Sequence, residues 1–336
     1  MPSYFEKSAE SKRPINDFWK ITTTPTELAE GLFGQILLWT FELLPYLEKK
    51  SIYPAWDIKS MLYGEQPEYT VIPGVLDLAY TPNTTTYQEI SFNLLRDAHP
   101  YALGDDWGYL HKLFFSYFKI PERTLQIADQ IGLPPNTLGI HYRGTDKNQA
   151  HLDTNPVSQE DLLILVTDFL KNHLEVTHLF IATDEYSFVE KTRQQLPDLS
   201  ITNLGKIDFF KESKHKTSKA DRALVDCILL SRCGYVIKCS SALSGFAKIL
   251  NPELIVYRIA ASKLFADIPY FPDAYIPQLT SLNPKCQKIL EKLFENDWSN
   301  NPKARQCFGR GFKTKLRFSH YNRVKSRLKL LKHLYA

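Results

Sequence analysis

The sequence predicts an α/β protein whose second half is a doubly wound parallel sheet. Three observations predict it. From residue 137 onward, apolar, β-branched runs of six or seven residues alternate with longer amphipathic ones. No two strand-like runs follow each other directly, so parallel pairing through helical crossovers is expected. Charged and hydroxyl residues, His141, Arg143, Asp184 and Ser240, stand at the carboxyl ends of the strand-like runs, where such sheets bind their ligands.

The strands expected in this half are TLGIHYR (137–143), HLFIATD (178–184), LSITNL (199–204), YVIKCS (235–240) and LIVYRIA (254–260). Between them, SQEDLLILVTDFLKNHL opens with Ser158 as N-cap and Asp161 three residues on, the usual signature of a helix start. YSFVEKTRQQL, SKADRALVDCILLSR and SALSGFAKIL supply the other helices. In the first half, EGLFGQILLWTFELLPYLEKKSIYPAWDI reads as a glycine turn, a helix over about 35–49 and a strand, a second α/β unit. Residues 60–100, rich in Tyr, Pro and Thr, receive no assignment. The prolines of GLPPNT (132–137) bar both helix and central strand and mark the domain boundary. Three parts are therefore expected: 1–133, 134–285 and a basic tail over 286–336.

Composition narrows the class. With 336 residues, 43% hydrophobic and 23% charged, the chain fits two ordinary globular domains. The polar N-terminus carries no secretory signal, and LFGQILLWTFELLPYL is too short and interrupted to span a bilayer, so a cytoplasmic location is expected. Five cysteines without a CxxC pair fit neither a disulfide framework nor a zinc ribbon. Cys227, Cys233 and Cys239 read as small buried hydrophobes on a helix, a turn and a strand.

Charge is unevenly distributed. Eleven Lys and Arg and no acidic residue lie between Asn301 and Ala336, leaving the rest with 30 basic and 37 acidic residues, net −7. Tyr321, Val324, Leu328, Leu331 and Tyr335 recur at helical spacing among those cations. This is the pattern of a helix lying on an anionic membrane surface, or docking on the protein's own body. No nucleic-acid-binding module accompanies the charge, so nucleic acid is not an expected partner.

The stretch GIHYRGTDKN (139–148) carries the densest chemistry. Arg143 at a strand end suits a diphosphate, because its planar fork makes bidentate charge-assisted bonds; the alternative is a loop-holding pair with Asp146 or Asp184. Asp226 lies within ALVDCILL, where an unpaired carboxylate is costly. It calls for a donor pair, with an ion pair to Arg222 as the alternative. Ser240 and Ser241 precede a helix whose first N–H groups suit phosphate oxygens; plain capping is the other reading. FFKESKHKTSKADR, with Lys211, Lys214, Lys216, Lys219 and Arg222, is either a solvated face or a lid over a diphosphate.

IHYRGTDK resembles the HxRxxDK motif of the GDP-fucose-dependent fucosyltransferases, the α1,6 and nodulation enzymes related to the protein O-fucosyltransferases. FIATDE, then RALVDCILLSRCGYVIKCSSALSGFA, recur in the same order, and EGLFGQ is weakly similar to the glycine turn that opens their first subdomain. The resemblance covers about 28–50 and 137–250. It implies a GT-B-like pair of Rossmann-like domains and inverting transfer of fucose from GDP-fucose to a glycan hydroxyl, with the first domain on the acceptor side. It places His141 and Asp226 on guanine, Arg143 on the β-phosphate, Ser240 or Ser241 near the diphosphate and Asp184 at the sugar.

Acceptor-side residues are then Asp146, Lys147 and Asp153. No cofactor or metal is expected, since no DxD element is placed for Mg²⁺ and cationic side chains neutralise the leaving GDP. Two positions depart from the family. Gly144 replaces a second arginine, and His151 stands where the family has its basic glutamate. His151 is the expected base, with Asp153 beside it. The alternatives are another nucleotide-sugar donor, or a noncatalytic protein that binds nucleotide sugar or glycan.

Overall fold

The computed structural model describes residues 19–23, 32–61, 63–64, 70–82, 88–91, 107–144, 157–205, 216–239, 241–260 and 263–266. The first unit starts with β1 (Trp19–Thr22) and a helical run made of α1 (Leu32–Leu38), a π-helical turn (Trp39–Leu43) and α2 (Leu44–Lys50). A single helix was expected over about 35–49. Pro45 explains the difference: it lacks an N–H and crowds the preceding turn, and a π turn absorbs the lost bond.

Strands β2 (Ala55–Lys59), β3 (Thr70–Ile72) and β5 (Gln88–Ser91) join β1 in a sheet of order β3-β2-β1-β5, and β1 pairs in parallel with β2 and β5. The stretch without a sequence assignment thus supplies edge strands. Two further helices, α3 (Trp107–Tyr117) and α4 (Glu122–Ile131), flank β6 (Phe118–Lys119), which pairs with β4 (Asp77–Leu78).

The second unit alternates as expected: β7 (Thr137–Tyr142), α5 (Gln159–Asn172), β8 (His178–Thr183), α6 (Tyr186–Gln195), β9 (Ser200–Thr202), α7 (Lys216–Ser231), β10 (Tyr235–Lys238), α8 (Ala242–Leu250) and β11 (Ile255–Ala260). Ser158 Oγ accepts the Asp161 N–H at 3.0 Å, the expected cap. The sheet order is β12-β11-β10-β7-β8-β9, all parallel except β12 (Lys263–Ala266), an antiparallel edge strand the sequence analysis did not anticipate. All six residues of β7 are buried, as befits a central strand covered on both faces. Cys227, Cys233 and Cys239 are free and buried, on α7, in the turn after it and just past β10.

Chain order explains where a site belongs. From β7 the chain builds outward through β8 and β9, then returns to β7's other side to lay down β10 and β11. The switch point is the gap between the carboxyl ends of β7 and β10, where the flanking connections diverge and leave a crevice.

The two units share one core. Phe246 on α8 packs on Phe33 of α1 (centroids 5.9 Å) and, edge-on, on Phe114 of α3 (5.0 Å). His111 Nδ1 lies 2.8 Å from the Ile249 carbonyl oxygen, and Arg232 pairs with Asp129 at 2.6 Å. Among the described residues, no helix is long and apolar enough to cross a membrane.

Candidate functional site

The floor of the crevice follows from one close approach. A Cβ on Gly139 of β7 would stand 3.0 Å from Cys233 Sγ, Leu230 Cδ2 and Val236 Cγ2, so glycine lets the end of α7 lie directly on the strand without displacing these side chains. Asp226 precedes Leu230 by one helical turn on the same face, about 6 Å along the helix. His141 follows Gly139 by two residues on the same strand face, about 7 Å along the strand. Helix and strand run in opposite senses in such a unit, so the two offsets match and Asp226 lies at the same end of the unit as His141.

Both groups are buried, and burial dominates their chemistry. It pushes the Asp226 carboxyl up to about 7, against a smaller downward pull from Arg222. Arg222 lies one turn earlier, with its Nη2 buried and without a hydrogen-bond partner, and among the described residues no ion pair joins it to Asp226. Among the described residues no side chain bonds the Asp226 carboxyl. Burial also holds the His141 imidazole well below its ordinary value, with the nearby charges of Lys238 and Arg143 adding to the effect. His141 Nδ1 lies 2.7 Å from Ser244 Oγ on α8.

Arg143 leaves the end of β7 half-buried, with Nε 3.8 Å from Asp184 Oδ2 at the end of β8. Asp184 Oδ1 accepts the Gly144 N–H at 3.0 Å, so this carboxylate holds the turn that carries the guanidinium. The absent second arginine has a local counterpart. A Cβ at Gly144 would meet the Glu185 carboxylate at 2.2 to 2.7 Å, and Gln159 Nε2 donates to that carboxylate at 2.8 Å. A side chain at 144 would have to move the Glu185 carboxylate aside.

On the opposite wall, Ser241 caps α8 by position only. Its side chain makes no capping bond, and its buried Oγ has no hydrogen-bond partner. The Cys227 thiol donates to the Leu243 carbonyl at 3.2 Å, tying α7 to the first turn of α8 beside Asp226. His141, Arg143, Asp184, Asp226 and Ser241 are therefore gathered around one strand-end crevice from four separate stretches of chain. Ser240, Asp146, Lys147, His151, Asp153, the Lys211–Lys214 stretch and the basic tail lie outside the described residues. α7 starts at Lys216, two residues before the SKADRALVDCILLSR run expected to be helical, so Lys216 and Lys219 belong to its first turn.

Three residues at this site escaped the sequence analysis. Lys238 is in register with His141 on one side and Arg258 on the other, and registered residues of parallel strands share a face. At 5%, 1% and 4% exposed, His141, Lys238 and Arg258 form a buried basic row. Charged residues inside YVIKCS and LIVYRIA were the available signal, since a strand buried on both faces seldom holds cations. Ser244 is the third; nothing local marks it.

Comparison with solved structures bears on the fold. A NodZ α-1,6-fucosyltransferase, in a crystal soaked with GDP-fucose, superposes with a TM-score of 0.51 at 15% identity, over 74% of this chain and 98% of that one. NodZ from Bradyrhizobium gives 0.49 at 14%, over 74% and 99%. POFUT1 in complex with GDP-fucose gives 0.37 at 13%, over 70% of each chain. No family model matches the sequence, and no curated protein matches it. The first superposition is close enough to establish a shared fold, the GT-B-like α/β class expected from the sequence.

Proposed function

We propose that this chain is an inverting glycosyltransferase that moves fucose from GDP-fucose to a hydroxyl of a glycan. The observation that carries this reading is the composition of the crevice at the β7–β10 switch point. A buried carboxyl that no side chain bonds among the described residues, a neutral imidazole, a guanidinium and a helix start with an orphan hydroxyl meet there. Each group suits one part of a guanosine diphosphate. Guanine N1–H and N2–H₂ suit the Asp226 carboxylate, the diphosphate suits Arg143, and the first N–H groups of α8 with Ser241, and Ser240 before it, suit the remaining phosphate oxygens.

In this reading the acceptor hydroxyl attacks the anomeric carbon from the face opposite the diphosphate. The C1–O bond breaks, GDP leaves with the electron pair, and the acceptor proton passes to a base. His151, assisted by Asp153, is that base; an imidazole titrates nearer neutral pH than the family's glutamate. Asp146 and Lys147 follow the motif arginine on the acceptor side. Asp184 fixes the Arg143 turn from the sugar side. Arg143 and the start of α8 neutralise the leaving group, so the reaction needs no metal. The basic stripe of the tail brings the chain to anionic membranes.

The test is GDP release from GDP-fucose against a panel of glycan acceptors, with and without EDTA, beside GDP-mannose and UDP-sugars. Turnover that needs GDP-fucose and survives EDTA is expected. Tight GDP binding with no turnover on any acceptor would instead make this a binding protein. In the same assay, His151→Ala should lower the rate by ~100-fold or more at unchanged GDP affinity, within the span of general-base removal. If only Asp153→Ala, or neither substitution, lowers it, the base lies elsewhere, and Asp184 or Glu185 is the next candidate.

A further inference from the structure

The contact between His141 and Ser244 joins residues 103 positions apart across two elements, and both partners are buried. A neutral imidazole has one ring N–H and one lone pair, and the hydrogen bond at one nitrogen decides which the other offers. Burial and the charges of Lys238 and Arg143 keep this ring neutral, so the choice matters at every working pH.

Ser244 has a single hydroxyl proton. The hydroxyl faces the Ser241 carbonyl three residues earlier, at 3.4 Å, the backward bond that serines in helices commonly make. With its proton directed there, only an oxygen lone pair remains for the 2.7 Å contact to His141. The imidazole must then donate from Nδ1, and Nε2 is left as an acceptor. In water the neutral ring favours the opposite form, with the proton on Nε2, so this arrangement has to be imposed.

We infer that Ser244 is a positioning residue that fixes His141 as an acceptor at Nε2 and thereby selects a purine carrying an exocyclic amine at C2. The inference rests on the GDP-sugar reading and deepens it. With Asp226 on α7 and His141 on β7 at the same end of the unit, the site offers the base an acceptor from each element. Guanine offers three hydrogens on its N1 and N2 edge. Hypoxanthine lacks the amine, and one acceptor then stays buried and unpaired, which sites of this kind discriminate against strongly.

The tautomer is read without any ligand, from long-range ¹H–¹⁵N correlations of the ¹⁵N-labelled full chain, with the His141 ring identified by its loss in His141→Asn. The expected result is a ring protonated at Nδ1 in the wild type and in Ser244→Thr, moving toward Nε2 protonation in Ser244→Ala. In calorimetric titrations with GDP and inosine diphosphate, the preference for GDP should fall about tenfold in Ser244→Ala, one hydrogen bond's worth, and persist in Ser244→Thr. A wild-type ring protonated at Nε2 overturns the inference, as does an unchanged tautomer and GDP preference in Ser244→Ala. If Ser244→Ala does not fold, the wild-type and Ser244→Thr spectra still decide. A wild type that binds neither nucleotide overturns the donor reading instead, while the tautomer measurement stands on its own.

Discussion

Replacing Arg143 by lysine is expected to lower turnover of the GDP-sugar by ~100-fold or more, with the fold intact. The size of the effect follows from geometry rather than charge. Lysine keeps the positive charge but loses the planar fork that holds two phosphate oxygens at once, and removal of one preorganised donor costs rates on that scale. Stability should barely change. The guanidinium is partly exposed, and its 3.8 Å contact with Asp184 is too long for a strong ion pair. The Asp184 bond to the Gly144 N–H needs only the backbone, so the turn survives the substitution. Steady-state kinetics with GDP-fucose, beside a thermal melt, provide the check. Near-normal turnover in a folded Arg143→Lys protein removes Arg143 from the diphosphate site.

Asp226→Asn carries the second large effect, and it has opposite signs in binding and in stability. The amide cannot accept both guanine hydrogen bonds, and a charge-assisted bond lost in a buried site corresponds to a 10- to 100-fold weaker GDP complex, about 1.5–3 kcal/mol. The folded carboxyl titrates near 7, against 3.8 when unfolded. Between those values the folded state holds the extra proton, so stability falls as pH rises from about 4 to about 7 and stays low above it.

Asparagine removes that loss. The variant should therefore melt several degrees higher than the wild type at pH 8, with a much smaller difference near pH 4. His141 contributes in the other direction, since its depressed folded value costs stability as pH falls below about 6.5. That term is common to both proteins and cancels in the comparison. Guanine favours the ionised carboxylate, so GDP binding near neutral pH should release a proton and tighten as pH rises to about 7. Calorimetry in buffers of different ionisation enthalpy measures this. Equal GDP affinity in the two proteins would show that Asp226 does not read the base.

The elements of the second unit were legible because their signals are local. The apolar run HLFIAT, the Ser158 and Asp161 pair before α5, and each of the motifs IHYRGTDK, FIATDE and SSALSGFA lie within windows of a few residues. The strand ends they define already pointed to His141, Arg143, Asp184 and Ser240, and the apolar helix ALVDCILL to Asp226. Helices α3 and α4 were missed because they bury their apolar faces against α8 and α7 of the other unit, a partner that periodicity alone does not name. The π turn before Pro45 was missed because proline signals a disturbance without saying how the backbone absorbs it.

By itself, the sequence determined the α/β class, the succession of strands and helices in the second unit and the identity of the charged residues at their ends, since these depend on near neighbours in the chain. Only the tertiary structure decided which residues meet. The strand order that puts β10 beside β7 turned Lys238 and Arg258 from anomalies of two apolar strands into a buried basic row next to His141. The bareness of Gly139 let the end of α7 settle directly on β7. The start of α8 brought Ser244 to it from 103 residues away. Contacts at such separations are set by how whole elements pack, and no local pattern encodes them.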